Sequence, residues 1–161
     1  MTARPRSLRA GELRVTEAPG RLAIHGLGSC VAVFVYDPGR RVGGLAHILL
    51  PEPPADGTEH PGRYATTAVS IMVDESIRLG ARRAALLAKV TGGSRMFSID
   101  VTAGRPSVGD KNVEAALRAL RLAGVAVIGS DVGGDCGRSV IADLEDGTLT
   151  IKTVRSAPRV L

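Results

Sequence analysis

Two residues of this 161-residue chain, Cys30 and His47, have the types and spacing that hydrolytic chemistry needs. A thiol attacks as its thiolate, so a nucleophilic cysteine requires a base or cation close by, and histidine is the usual one. The segment joining them reads as a β-hairpin. Residues 30–36 are all apolar, as in a strand buried on both faces, and Asp37, Pro38, Gly39 and Arg40 supply turn chemistry. Residues 42–50 resume as a second strand, ended by Pro51. A two-residue loop at Pro38 and Gly39 puts Asp37 opposite Arg40 and Cys30 directly opposite His47. Side chains paired in that way share a sheet face, with Cβ atoms roughly 4.5 to 5.5 Å apart. Before the cysteine, Gly26, Gly28 and Ser29 can adopt tight backbone geometry and aim N–H groups at a developing oxyanion, as acyl transfer requires. Gly28 and Ser29 are therefore the candidate oxyanion and substrate-binding positions. The same Cys30 and His47 also fit a buried structural cysteine beside a hydrogen-bonded histidine.

Competing chemistries find less support. The run from Gly26 to Val31 begins like a dinucleotide fingerprint, but it lacks the third glycine and leads into a strand where the fingerprint must open a helix. Cys30, Cys136, His25, His47 and His60 show none of the close spacings of zinc ligands, so no metal and no cofactor is expected. Cys136 sits in a Gly-rich stretch with no histidine near it in sequence to activate it. Gly92 and Gly93 could cradle an anion or simply turn the chain, and the turn is the simpler reading.

The elements that must position the pair follow from periodicity. Residues 12–17 and 21–25 read as short strands around a turn at Pro19 and Gly20, and 51–62, with four prolines, reads as a surface loop. Residues 65–79 carry apolar side chains at helical spacing with Gly80 as the stop. A second helix is expected over 111–123, capped by Asp110 and followed by Gly124. Further strands are expected at 84–90, 125–128, 139–143 and 149–154, the last two joined by a turn through Glu145, Asp146 and Gly147. The fold class is α/β, a single domain of mixed β-sheets flanked by helices.

Composition agrees with one packed domain, 44% apolar and 23% charged. Aromatic residues at 2% argue against stacking platforms for single-stranded nucleic acid. The charge of +5 comes largely from dispersed arginines with no dense basic run, which suits an acidic protein partner and does not point to nucleic acid. No apolar stretch approaches the roughly 20 residues of a membrane-spanning helix, and the arginine-bearing start lacks the apolar core of a secretory signal. A cytoplasmic location without membrane insertion is expected, where both cysteines stay reduced.

The motifs, taken together, resemble those of the CheD family of chemoreceptor glutamine deamidases. The blocks appear in order: Gly26-Leu27-Gly28-Ser29-Cys30-Val31-Ala32-Val33, Tyr36-Asp37-Pro38, and Gly43-Gly44-Leu45-Ala46-His47-Ile48-Leu49-Leu50-Pro51. Ala88-Lys89 with Gly92-Gly93, Asn112-Val113, and Asp131-Val132-Gly133-Gly134 with Gly137-Arg138 follow. The resemblance implies a cysteine-hydrolase-like sandwich over 12–154, with 1–11 a flexible lead-in and 155–161 a tail. It implies a deamidase that converts glutamines on the cytoplasmic helices of methyl-accepting chemotaxis receptors to glutamate, with Cys30 as nucleophile and His47 as base. A CheC-type phosphatase is an implied partner. One position departs from the family pattern, which carries a threonine six residues before the cysteine to orient the histidine; here that residue is Ile24. His25 beside it faces the opposite way on a strand. Ser29, Thr91 or a backbone carbonyl could orient His47 instead. If none does, the chain becomes a binding protein with weakened catalysis that regulates the phosphatase or the receptors. Lys111, where the family usually has arginine, and Cys136 are lesser departures.

Overall fold

The computed structural model describes residues 4–96 and 104–161. Among these residues, ten strands form two five-stranded sheets. One is ordered β2 (Leu13–Glu17), β5 (Val42–Ile48), β4 (Val31–Asp37), β6 (Leu87–Gly92), β7 (Ala126–Val132). The other runs β1 (Arg6–Ser7), β3 (Arg21–Leu27), β8 (Arg138–Asp143), β9 (Leu149–Lys152), β10 (Arg159–Val160). Each sheet is mixed, since β6–β7 and β1–β3 are parallel and the other pairs antiparallel. Two helices, α1 (Ala65–Arg78) and α2 (Val108–Leu122), flank the first sheet.

Alternation along β4 builds both cores. Val31, Val33 and Val35 face the helices and pack with Ala68, Met72, Ala116 and Leu120. Ala32, Phe34 and Tyr36 face the second sheet and pack with Leu22, Ile24, Val140 and Ile151. Every residue of β4 is buried, which is why its sequence is apolar without interruption.

Several boundaries differ from the sequence reading for identifiable reasons. The β4–β5 loop has four residues, 38–41, because Asp37 pairs with Val42. The Asp37 carboxylate accepts the N–H groups of Gly39 (2.8 Å) and Arg40 (3.1 Å), and Arg41 adopts the left-handed region at φ 54°. Helix α2 starts three residues earlier than expected. Its cap is Ser107, whose hydroxyl accepts the Asp110 N–H while the Asp110 carboxylate accepts the Ser107 N–H; Asp110 is the returning arm of a capping box. Residues 83–85 form a 3-10 turn, so β6 begins at Leu87 and runs through Gly92. The lead-in is tied down over its described part, with β1 pairing to β3 and Leu8 buried. The tail is also engaged, since β10 pairs with β9 and the buried Lys89 ammonium donates to the Leu161 carbonyl at 2.8 Å.

Candidate active site

Cys30 immediately precedes β4, at the end of a loop that leaves β3 through Gly26, whose φ of 72° suits glycine. Neighbouring backbone braces this loop closely. The Cys30 carbonyl accepts the Gly93 N–H at 2.8 Å and the Gly28 carbonyl accepts the Ser94 N–H at 2.9 Å. Gly92 lies so near that a Cβ there would stand 2.4 Å from the Cys30 carbonyl oxygen, and its φ is 104°. The two glycines that the sequence suggested were a simple turn thus form the seat of the cysteine backbone. Met96 lies over Gly28. From α2, the fully buried Asn112 donates its Nδ2 to the Ser29 carbonyl (3.0 Å) and to the Leu49 carbonyl (2.8 Å).

His47 lies in β5, buried, with its backbone gripped by the segment before β2: its N–H donates to the Glu12 carbonyl and its carbonyl accepts from Gly11, each at 2.9 Å. Its cross-strand partner is Ala32, not Cys30, because the longer 38–41 loop slides the register by two residues. A slip of two preserves the face. Cys30 is half-buried against the inter-sheet core that holds Ala32, and His47 belongs to the same face. Cys30 thus lies one residue beyond the last β4–β5 rung, Val31–Ile48, and two residues before Ala32, the partner of His47.

Burial governs the electrostatics of the pair. It raises the Cys30 thiol pKa, against a smaller lowering by the residue's own backbone N–H. It lowers the His47 pKa, against smaller opposing effects of the Leu8 backbone and the Glu12 carboxylate. Both shifts favour the uncharged forms, so the resting pair is a thiol and a neutral imidazole. A neutral imidazole keeps a lone pair free to accept the thiol proton as attack proceeds.

The question of what orients His47 has a sharp structural setting. Ile24 is fully buried in the inter-sheet layer and His25 is exposed, as strand alternation requires. Nδ1 of His47 is buried without a hydrogen-bond partner among the described residues. Thr91 pairs with Ala32 on the far side of β4 and spends its hydroxyl on the Asp131 carbonyl at 2.7 Å. The Leu8 backbone is the group whose influence favours the charged ring. Cys136 lies on the 133–137 loop, its thiol directed at the Gly137 carbonyl and its own carbonyl accepting the Ser94 hydroxyl at 2.7 Å; the loop also carries Asp135, paired with Arg155. Sequence reasoning missed the engagement of Asn112, Gly92 and Leu8, which act on the pair from distant parts of the chain. The one available signal was that Asn112 and the two glycines recur among the resembling blocks.

Comparison with known proteins places the chain in a family. The model described as CheD, chemotactic sensory transduction, matches residues 49–153, a span that begins after Cys30 and His47. Longer alignments cover both. A protein named probable chemoreceptor glutamine deamidase CheD from Desulfitobacterium hafniense is 39% identical over 158 residues, spanning 96% of this chain and 97% of that one. One of the same name from Methanococcus vannielii is 40% identical, over 90% of this chain and 92% of its own. A Geobacter metallireducens relative, named probable chemoreceptor glutamine deamidase CheD 2, is 36% identical over 92% and 93% respectively. Among solved structures, the Bacillus licheniformis hypothetical protein YfiH aligns with a TM-score of 0.49 and 20% identity, over 80% of this chain and 59% of that one. Relatives this similar along nearly their whole length leave no doubt about descent: this chain belongs to the CheD family.

Proposed function

We propose that this protein deamidates glutamine side chains on the cytoplasmic helices of methyl-accepting chemotaxis receptors, with Cys30 as nucleophile and His47 as general base. The observation that carries this reading is the placement of both side chains on one inter-sheet face, with the Cys30 backbone braced by Gly92, Gly93 and Asn112. The names of the relatives supply the reaction class and substrate.

In the first half-reaction the Cys30 sulfur bonds to the carboxamide carbon as its proton passes to His47. Backbone N–H groups of the 28–30 loop face the oxyanion. The C–N bond then breaks, ammonia leaves with the proton from His47, and a thioester remains. In the second, water gives a proton to His47 and attacks the thioester, and the proton returns to the departing sulfur. The net change is amide plus water to carboxylic acid plus ammonia. The acid ionises and adds one negative charge to the receptor helix.

No helix among the described residues is long and apolar enough to cross a membrane. The family resemblance further suggests docking to a CheC-type phosphatase, to be tested by co-purification with such a protein.

The deciding experiment mixes purified protein with a cytoplasmic receptor fragment and follows ammonia release together with the amide-to-acid mass change at receptor glutamines. Both signals are expected from wild type and neither from Cys30→Ala, whose circular dichroism should remain native. Activity that survives Cys30→Ala would remove the nucleophile assignment, and absence of both signals from wild type would remove the function.

A further inference from the structure

The Asn112 carboxamide lies where the two site-bearing strands part. Val31 and Ile48 form the last rung of the β4–β5 ladder. One step further, the Cys30 carbonyl turns to the Gly93 N–H and the Leu49 N–H turns to the Arg63 carbonyl, so the strands splay towards different neighbours. Asn112, fully buried in the first turns of α2, reaches into that fork. Its single Nδ2 group donates to the Ser29 carbonyl on one prong and the Leu49 carbonyl on the other.

The amide cannot be turned the other way, since that would set its oxygen against two carbonyl oxygens. Its Oδ1 consequently faces no partner among the described residues, although it is buried. A buried unpaired acceptor costs free energy, so the anchoring of this amide falls to the two hydrogen bonds of its Nδ2.

Planarity of the peptide bond gives the contact its consequence. The Ser29 carbonyl and the Cys30 N–H belong to one trans peptide unit and point in opposite directions. A Ser29 carbonyl fixed on α2 turns the Cys30 N–H away from the helix. That same N–H already favours the Cys30 thiolate.

We propose that Asn112 is a positioning residue for the deamidation reaction, locking the Ser29–Cys30 peptide so that the Cys30 N–H faces the reacting centre and holding the His47 strand at a fixed distance from it. This rests on the assignment of Cys30 and His47 above. Without the lock, the peptide is free to rotate and an oxyanion donor is lost, while the thiol and the imidazole remain.

The test compares wild type with Asn112→Asp, which keeps the shape but removes both donors, and Asn112→Leu, which removes all polarity. Two readouts are taken on folded protein: kcat and KM for receptor deamidation, and the pH dependence of Cys30 carbamidomethylation by iodoacetamide. A positioning role predicts kcat down by about 10²- to 10³-fold, the loss expected for one oxyanion donor, with KM nearly unchanged. It also predicts that the alkylation profile of Asn112→Leu moves to higher pH. Folded variants with wild-type kcat and an unmoved profile would overturn the proposal, and so would failure of both variants to fold, which would make Asn112 a structural residue. Wild type with no Cys30-dependent deamidation would defeat the functional reading instead, and the alkylation profiles would then decide the peptide-locking claim by themselves.

Discussion

Cys30 stands two residues before Ala32, the cross-strand partner of His47, and both side chains belong to the face turned towards the second sheet. Among the described residues, burial is the foremost influence on the Cys30 thiol, and no charged side chain figures beside it. Burial raises one pKa and lowers the other, and both shifts favour the proton on sulfur.

A pH dependence follows directly. Because the His47 pKa is depressed from 6.5, the imidazole stays neutral as pH falls through that value, and the acid limb of kcat/KM should lie below it. Because the Cys30 pKa is raised from 9.0, alkylation by iodoacetamide should still be climbing at pH 9. Rates measured across the range check both. An alkylation plateau near neutral pH would reveal a thiolate–imidazolium pair and contradict the burial argument.

Ile24→Thr should trade stability for rate. Ile24 packs in the layer of Ala32 and Leu45, which border His47 on its own face, and Nδ1 of His47 has no partner among the described residues. A hydroxyl there is expected to raise kcat by about tenfold or more through better imidazole orientation. Burying it should lower stability by about 1–3 kcal/mol. Turnover and urea unfolding on the same preparation measure the two effects, and a stable variant with no gain in kcat would show that His47 is already oriented.

Gly92→Ala tests the seat of Cys30. The new methyl would lie 2.4 Å from the Cys30 carbonyl oxygen, at a φ of 104° that alanine avoids. Backbone is on both sides of that contact, so Cys30 must move. A displacement near 1 Å is expected to cost about 10²-fold in kcat, with a lowered Tm. An unchanged kcat would mean that the Cys30 backbone tolerates displacement.

Asp37→Ala should be a stability variant with little direct effect on chemistry. The buried carboxylate meets the Arg82 guanidinium twice, at 3.1 Å each, and accepts the N–H groups of Gly39, Arg40 and Arg82. The Arg82 hydrogen bond, foremost among these, holds its pKa well below the usual carboxylate range. Its contribution is complete above the ordinary value of 3.8 and is lost as pH falls towards the folded-state pKa. Replacement should cost about 2 kcal/mol near neutrality and less in acid, read from urea unfolding at the two pH values. An equal cost at both would deny the charge a role.

What the sequence made legible was what depends on local pattern. The unbroken apolar run of β4 announced a central strand, and the Gly80 stop placed the end of α1 within one residue. The register was misjudged because Asp37 folds its own carboxylate over the turn and draws two more residues into the loop, a side-chain effect that no periodicity records. The error was even, so Cys30 and His47 kept a common face. The hydrogen bonds of Asn112, the approach of Gly92 and the β1 arm were invisible for a different reason: each joins segments far apart in the chain.

The family threonine position lies on one sheet of the sandwich and the Cys30–His47 pair on the other. A hydroxyl at position 24 would make turnover answerable to the sliding of one layer over its neighbour. With isoleucine there, the contact between layers is greasy and directionless. The proposed nucleophile and base instead hang from β5 and from the residue just before β4, at the end of one sheet, so sliding between the layers does not enter their separation.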